Sequence, residues 1–178
     1  MSKSLEKFDE SIKDAENLLK LFDKHSKEDP AGTEVLKRAG FVMAFTAWET
    51  YVEDRLVEEL TIRTEMIKDS FLGNFFQKKL NDELKRFNNP NVEKTRKLYK
   101  DFLGIKDITL GWIFPGYSQE SAKKQLDVFA EKRGQVVHNS KGIGADALPD
   151  MVKKDELKKL INFFKGLTVA FDKYLVSA

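Results

Sequence analysis

Apolar residues recur at steps of three and four along almost the whole chain, and that spacing admits little other than packed helices. Leu5, Phe8, Ile12, Ala15, Leu19 and Phe22 form a first stripe. Val35, Ala39, Val42, Phe45, Val52, Leu56 and Leu60 form a long second one, with Thr33 as its expected cap and Asp29-Pro30-Ala31-Gly32 as the turn before it. A third helix is expected around Phe75, Phe76, Leu80, Leu84 and Phe87 after a break at Gly73, with Asn88-Asn89-Pro90 as its stop. A fourth runs from about Asn91 to Leu103 and closes at Gly104. Ala122, Leu126, Phe129, Val136 and Val137 mark a fifth, capped by Ser118 or Ser121. After a loop from Lys141 to Pro149, a last helix capped by Asp150 carries Val152, Leu157, Leu160, Ile161, Phe164, Leu167 and Phe171. Periodicity lapses only between Lys106 and Tyr117, an aromatic-rich loop. The expectation is an all-α, single-domain bundle of five to six helices over residues 1–178, an N-terminal helix and turn (1–32) preceding the core bundle (33–178).

A chain of 178 residues buries roughly 70% of the surface its unfolded form exposes, so no staple is required. With no cysteine, disulfides, thiolate zinc sites, iron–sulfur clusters and cysteine nucleophiles are excluded. Met1 to Phe8 alternate charge with single apolar positions, unlike a signal peptide, and the longest apolar run, Phe41 to Ala47, is too short to span a bilayer. A cytoplasmic protein with no membrane partner is expected. Net charge is only +2, but nine basic residues face five acids between Lys78 and Asp107, and six acids face two arginines from Glu49 to Glu65. The basic middle reads either as solvated helix faces or as a track for phosphates.

Two charged residues break the apolar pattern. At 100° per residue, Ala122, Leu126, Phe129 and Val136 fall within about 80° of one another, and Arg133 projects into that arc. Glu49 projects likewise among Val42, Phe45, Val52 and Leu56. Buried charge is costly unless paired or opening on a cleft, so Glu49 and Arg133 are expected to meet. The pair reads either as an ion pair pinning two helices or as part of a site. His138, one of two histidines, lies five residues after Arg133 beside a glycine-rich loop. The other, His25, has a sufficient explanation as a favourable charge near a helix C-terminus.

The stretch Arg133-Gly134-Gln135-Val136-Val137-His138, followed by Asn139, resembles the Arg-x(4–6)-His signature of the HEPN superfamily. Ala47-Trp48-Glu49-Thr50-Tyr51 and Leu126-Asp127-Val128-Phe129 are similar to the RiboL-PSP-like branch, and the likeness runs from about Thr33 to the last helix. The resemblance implies a small helical domain, often a metal-independent endoribonuclease, with two motifs facing each other across a homodimer. It implies Arg133, His138 and Glu49 as catalytic residues. Gly134 departs from the polar residue, often Asn, that commonly follows the arginine.

Such chemistry needs no cofactor and no metal. Histidine titrates near neutrality and suits proton transfer from a ribose 2′-OH, and a guanidinium can hold the phosphate. Asn139, Lys132, Lys141 and Gln135 are the expected substrate-binding residues, RNA the expected partner, and an antitoxin or other protein a further one. Trp112, Phe114 and Tyr117 either stack unpaired bases or plug the end of the bundle. Neither histidine has Glu three residues before it, as a di-iron bundle requires, and Gly142-Ile143-Gly144 lacks the length and lysine of a phosphate loop. The alternative functions are a non-catalytic HEPN-like module binding nucleotide, RNA or protein, which Gly134 favours, and a helical interaction domain unrelated to nucleic acid.

Overall fold

A computed structural model describes residues 1–138 and 152–177 and contains six α-helices among them. These are α1 (Lys3–His25), α2 (Pro30–Thr64), α3 (Phe71–Leu84), α4 (Val92–Leu103), α5 (Gln119–His138) and α6 (Lys154–Ser177), with short 3-10 turns at Glu65–Ile67 and Ile108–Gly111. The all-α expectation holds.

Local chemistry sets the helix ends, not always where spacing alone put them. The second helix starts at Pro30 rather than after Thr33. The Asp29 carboxylate accepts from the Gly32 amide at 2.8 Å, and proline occupies the first helical position, where its missing N–H costs nothing. Thr33 sits inside the first turn and donates its hydroxyl to the Asp29 carbonyl. Gly73 likewise belongs to α3, whose cap is Ser70. A Cβ at Gly73 would lie 2.0 Å from the Ile67 carbonyl oxygen, so glycine there permits a close approach and breaks nothing. Asn91 caps α4, and Gly104, at φ +69°, ends it. Ser118 and Ser121 cap α5 together, each hydroxyl accepting the other's amide. Val152 is buried but precedes α6, which begins at Lys154; the expected cap, Asp150, lies outside the described residues.

The core is aromatic. Trp48 of α2 stacks on Phe164 of α6, with ring centroids 5.5 Å apart and planes 8° apart, and meets Phe171 edge-on. Tyr51 and Tyr99 also meet Phe171 edge-on, and their hydroxyls donate to the carbonyls of Thr168 and Val52. Such ring pairs add about 0.5–1.5 kcal/mol each beyond area burial. Leu5, Phe8, Ile12 and Ala15 seat α1 against α2, so the N-terminal helix shares this core. The aromatic loop closes one end: Trp112 is fully buried against Trp48, while Phe114 and Tyr117 pack on Phe163. Base stacking on Trp112 is thereby ruled out. Two glycines allow the loop this close, since a Cβ at Gly111 would strike Tyr174 and one at Gly166 would strike Phe114.

A buried ion network joins α1, α2 and α6 at the far end of α2. Arg55 Nε donates to Asp172 at 2.9 Å and its NH2 group to Glu59 at 2.6 Å, with the Arg55 and Asp172 side chains only 3% and 7% exposed. The Ser2 amide donates to the other Asp172 oxygen, and Glu58 accepts from the Lys3 amide and from the Ser4 amide and hydroxyl. The acidic stretch after Glu49 thus satisfies the free amides that begin α1. Removing one partner of a buried pair strands the other. Asp172→Ala is therefore expected to lower unfolding free energy by about 3 kcal/mol, measured by urea denaturation. The apolar double variant Arg55→Met/Asp172→Leu is expected to recover most of that loss, and its failure to do so would contradict a pinning role.

Candidate active site at the α2–α5 seam

The seam is built outward from Trp48. Its indole N–H donates to the Pro90 carbonyl at 3.2 Å, which holds the α3–α4 connection against α2. Asn89, in the left-handed region at φ 47°, donates its side-chain amide to the Ala130 carbonyl of α5 at 3.1 Å. Asp127, a turn earlier on α5, accepts the Val92 amide at the start of α4. α5 is thus held against the 88–92 segment and α2, with Phe129 edge-on to Phe41.

Arg133 lies one turn beyond Ala130, and Glu49 follows Trp48. The structure brings them together, with NH2 of Arg133 3.9 Å from Oε2 of Glu49 and side chains 25% and 18% exposed. Both therefore sit at the rim of the core rather than in the middle of the apolar arcs. Arg133 Nε is buried and makes no hydrogen bond among the described residues, and the same is true of Asn89 Oδ1. Unsatisfied buried groups of this kind cost about 1–3 kcal/mol each. The contrast with Arg55 is sharp: one guanidinium is sealed between two carboxylates, the other is loosely paired and partly open.

His138 is the last residue of α5, about 7.5 Å along the axis from Arg133. Its side chain, Asn139 and Lys141 lie outside the described residues. Two other expected contributors sit off the seam. The Lys132 ammonium is bonded to Glu156 of α6, and Gln135 bonds Glu131 one turn back on α5. Gly134 borders open space, with no atom within 4 Å of the position a Cβ would take. Val137, expected to be core, is 41% exposed, and so are Val35 at 51% and Met43 at 38%. With Arg38, Ala39, Val42 and Val136 they line an apolar cavity of about 480 Å³ beside the motif.

Sequence reasoning missed Glu53. It follows Glu49 by one helical turn, and burial, then the charges of Glu49 and Asp54, push its carboxyl up to about 7. The i, i+4 pair of acids was the available signal. A carboxyl raised in the folded state favours folding below its unfolded value near 4.3, and that contribution disappears as pH rises through about 7. Glu53→Gln is accordingly expected to raise Tm at pH 8 by roughly 2–4 °C, a gain on the order of 1 kcal/mol, and to change it little at pH 5. Parallel thermal melts at the two pH values check this; equal shifts at both would refute the assignment.

No helix among the described residues is long and apolar enough to cross a membrane. No curated protein and no solved structure matches the chain. A family model described as RiboL-PSP-HEPN matches residues 6–177, nearly the whole chain and both halves of the seam. With Glu49 and Arg133 joined across α2 and α5, and His138 closing the same helix, the chain belongs to the RiboL-PSP-HEPN family of the HEPN superfamily.

Proposed function

We propose that this protein is a metal-independent endoribonuclease that works as a homodimer, with Arg133, His138 and Glu49 as its catalytic residues. The observation that carries the reading is the Arg133 guanidinium, a quarter exposed at a helix seam and with an Nε that meets no hydrogen-bond partner among the described residues, five residues before a histidine that ends the same helix. Family membership supports the RNase-like or RNA-binding class.

In the reaction, histidine as general base takes the proton of a ribose 2′-OH, and the freed oxygen attacks the adjacent phosphorus. The bond to the 5′-oxygen breaks, a 2′,3′-cyclic phosphate forms, and the departing oxygen takes a proton from a general acid. One His138 cannot fill both proton roles in one step, so the second comes from His138 of a second copy. Arg133 holds the charge that accumulates on the phosphate, and Glu49 keeps the guanidinium in place. Asn139, Lys132, Lys141 and Gln135 are proposed to bind the RNA backbone, Lys132 by exchanging Glu156 for phosphate.

The apolar cavity beside the motif supports the dimer. Exposed Val35, Met43 and Val137 next to a charged site favour burial against a like surface, and a two-fold contact there brings the two motifs together. A cytoplasmic role in toxin–antitoxin or antiviral defence, with an antitoxin as partner, rests on family analogy. Gly134 favours a second reading, a non-catalytic module that binds nucleotide, RNA or protein.

The decisive measurement is cleavage of a mixed RNA by purified protein in EDTA. Wild type is expected to leave 2′,3′-cyclic ends, His138→Ala to lose on the order of 10²–10⁴ in rate and Arg133→Ala on the order of 10²–10³. Folded wild type that cleaves nothing at neutral pH would move the conclusion to the binding module. Gly134→Ala, facing open space in a helix interior, is expected to stabilise the fold by about 1 kcal/mol in thermal melts.

A further inference from the structure

On the other flank of α5, away from Arg133, the aromatic loop and α6 enclose an open cavity of about 370 Å³. Phe114 and Tyr117 form one wall, their rings stacked with centroids 4.9 Å apart. The opposite wall comes from one face of α6, where Asp155, Lys158, Lys159 and Asn162 follow at helical spacing. The combination is neither a core nor an ordinary solvated face. The tyrosine hydroxyl, the Lys158 ammonium and the Asn162 amide make no hydrogen bond with any described residue, while Lys159 reaches across to Gln125 of α5. Burial holds the Tyr117 hydroxyl above its ordinary range, so it stays a neutral donor at physiological pH.

From these juxtaposed groups we infer that the cavity is a binding site for one nucleotide unit with an unpaired base. The aromatic wall takes the planar base, and the Asn162 amide offers both a donor and an acceptor to its edge. Lys158 and Lys159 hold the phosphate, and the Asp155 carboxylate accepts from the ribose hydroxyls of a free nucleotide. The volume falls within the range of small-ligand sites. A second cavity continues it along the α5–α6 seam. Lys159 lines both, and Lys124 and Gln125 line the second together with Glu156, whose carboxylate holds Lys132, the neighbour of Arg133. A single strand lying in that seam is led towards the end of α5 that bears the motif. Tyr117 lies just before α5, whose first residue, Gln119, is 14 residues or about 21 Å of helix from Arg133, so the anchored base lies several nucleotides from the scissile phosphate.

As an RNA anchor this rests on the proposed function, but binding and cleavage separate in the test. The probes are AMP, by isothermal titration, and a labelled 2′-O-methyl oligoribonucleotide, which lacks the nucleophile, by fluorescence anisotropy. The variants Lys158→Glu and Asn162→Ala change exposed side chains, so the fold is retained, as a melt verifies. Both are expected to weaken binding of the oligonucleotide tenfold or more. Parallel weakening of AMP identifies a site that also takes free nucleotide; weakening of the oligonucleotide with no AMP binding identifies a strand anchor. Affinity for both probes unchanged in the two variants, or no binding of either probe by wild type, overturns the site. Cleavage is read separately through His138→Ala, so failure of the nuclease reading leaves the pocket standing wherever Lys158→Glu and Asn162→Ala still weaken binding of the oligonucleotide.

Discussion

Trp48 lying flat on Phe164 is the contact around which the rest of the molecule is arranged. It locks α2 to α6 through two large rings, and Phe171, Tyr51 and Trp112 close around the same centre. The indole N–H then fastens the Pro90 carbonyl, Asn89 fastens α5, and Asp127 of α5 fastens the start of α4. Because Glu49 is bonded directly to Trp48, its backbone is as immobile as the core. The backbone from which the Glu49 carboxylate reaches Arg133 is therefore placed by aromatic packing and not by the long ion pair. A site held by its scaffold in this way keeps its geometry when the charge on a bound group changes.

Two arginines on helices that pack through the same core have opposite fates. Arg55 is sealed between Asp172 and Glu59, and its donors offset the cost of removing charge from water. Arg133 has one acid at 3.9 Å, an Nε with no hydrogen-bond partner among the described residues and a quarter of its side chain in solvent. A pinning interaction resembles the first. The second leaves part of its hydrogen-bonding capacity unused by the described residues, which is the feature the proposed function rests on. Glu53 adds to the same picture, since a carboxyl pushed up to about 7 by burial and neighbouring acids is a group poised near physiological pH.

The two flanks of α5 carry different surfaces. Towards α2 lie Arg133 and the apolar cavity bordered by Val35, Met43 and Val137; towards α6 lie lysines, amides and the paired rings of the aromatic loop. Under the functions proposed above, one flank meets a second copy and a phosphate, the other a planar base and a backbone. A single helix can serve both because residues 100° apart face different neighbours.

Helix number, the all-α class and the meeting of Glu49 with Arg133 were legible in the sequence, because apolar periodicity and the cost of burying charge act locally or pairwise. Caps were partly legible. Asn91, Gly104 and the Ser118–Ser121 pair stood out, whereas Asp29 and Ser70 were hidden by a proline and a glycine that usually mark breaks but here lie within the first helical turn. The Arg55–Asp172 network was not legible, since it joins residues 117 positions apart and neither violates an apolar stripe plainly enough to be noticed. Nor could spacing tell that Trp112 is sealed while Phe114 and Tyr117 face a cavity, or that Val35 and Val137 stand outside the core. The sequence by itself determined which faces must be buried. Which of the buried and half-buried groups share a neighbour was decided only by the tertiary structure, because helix crossings bring together side chains whose separation along the chain carries no record of the contact.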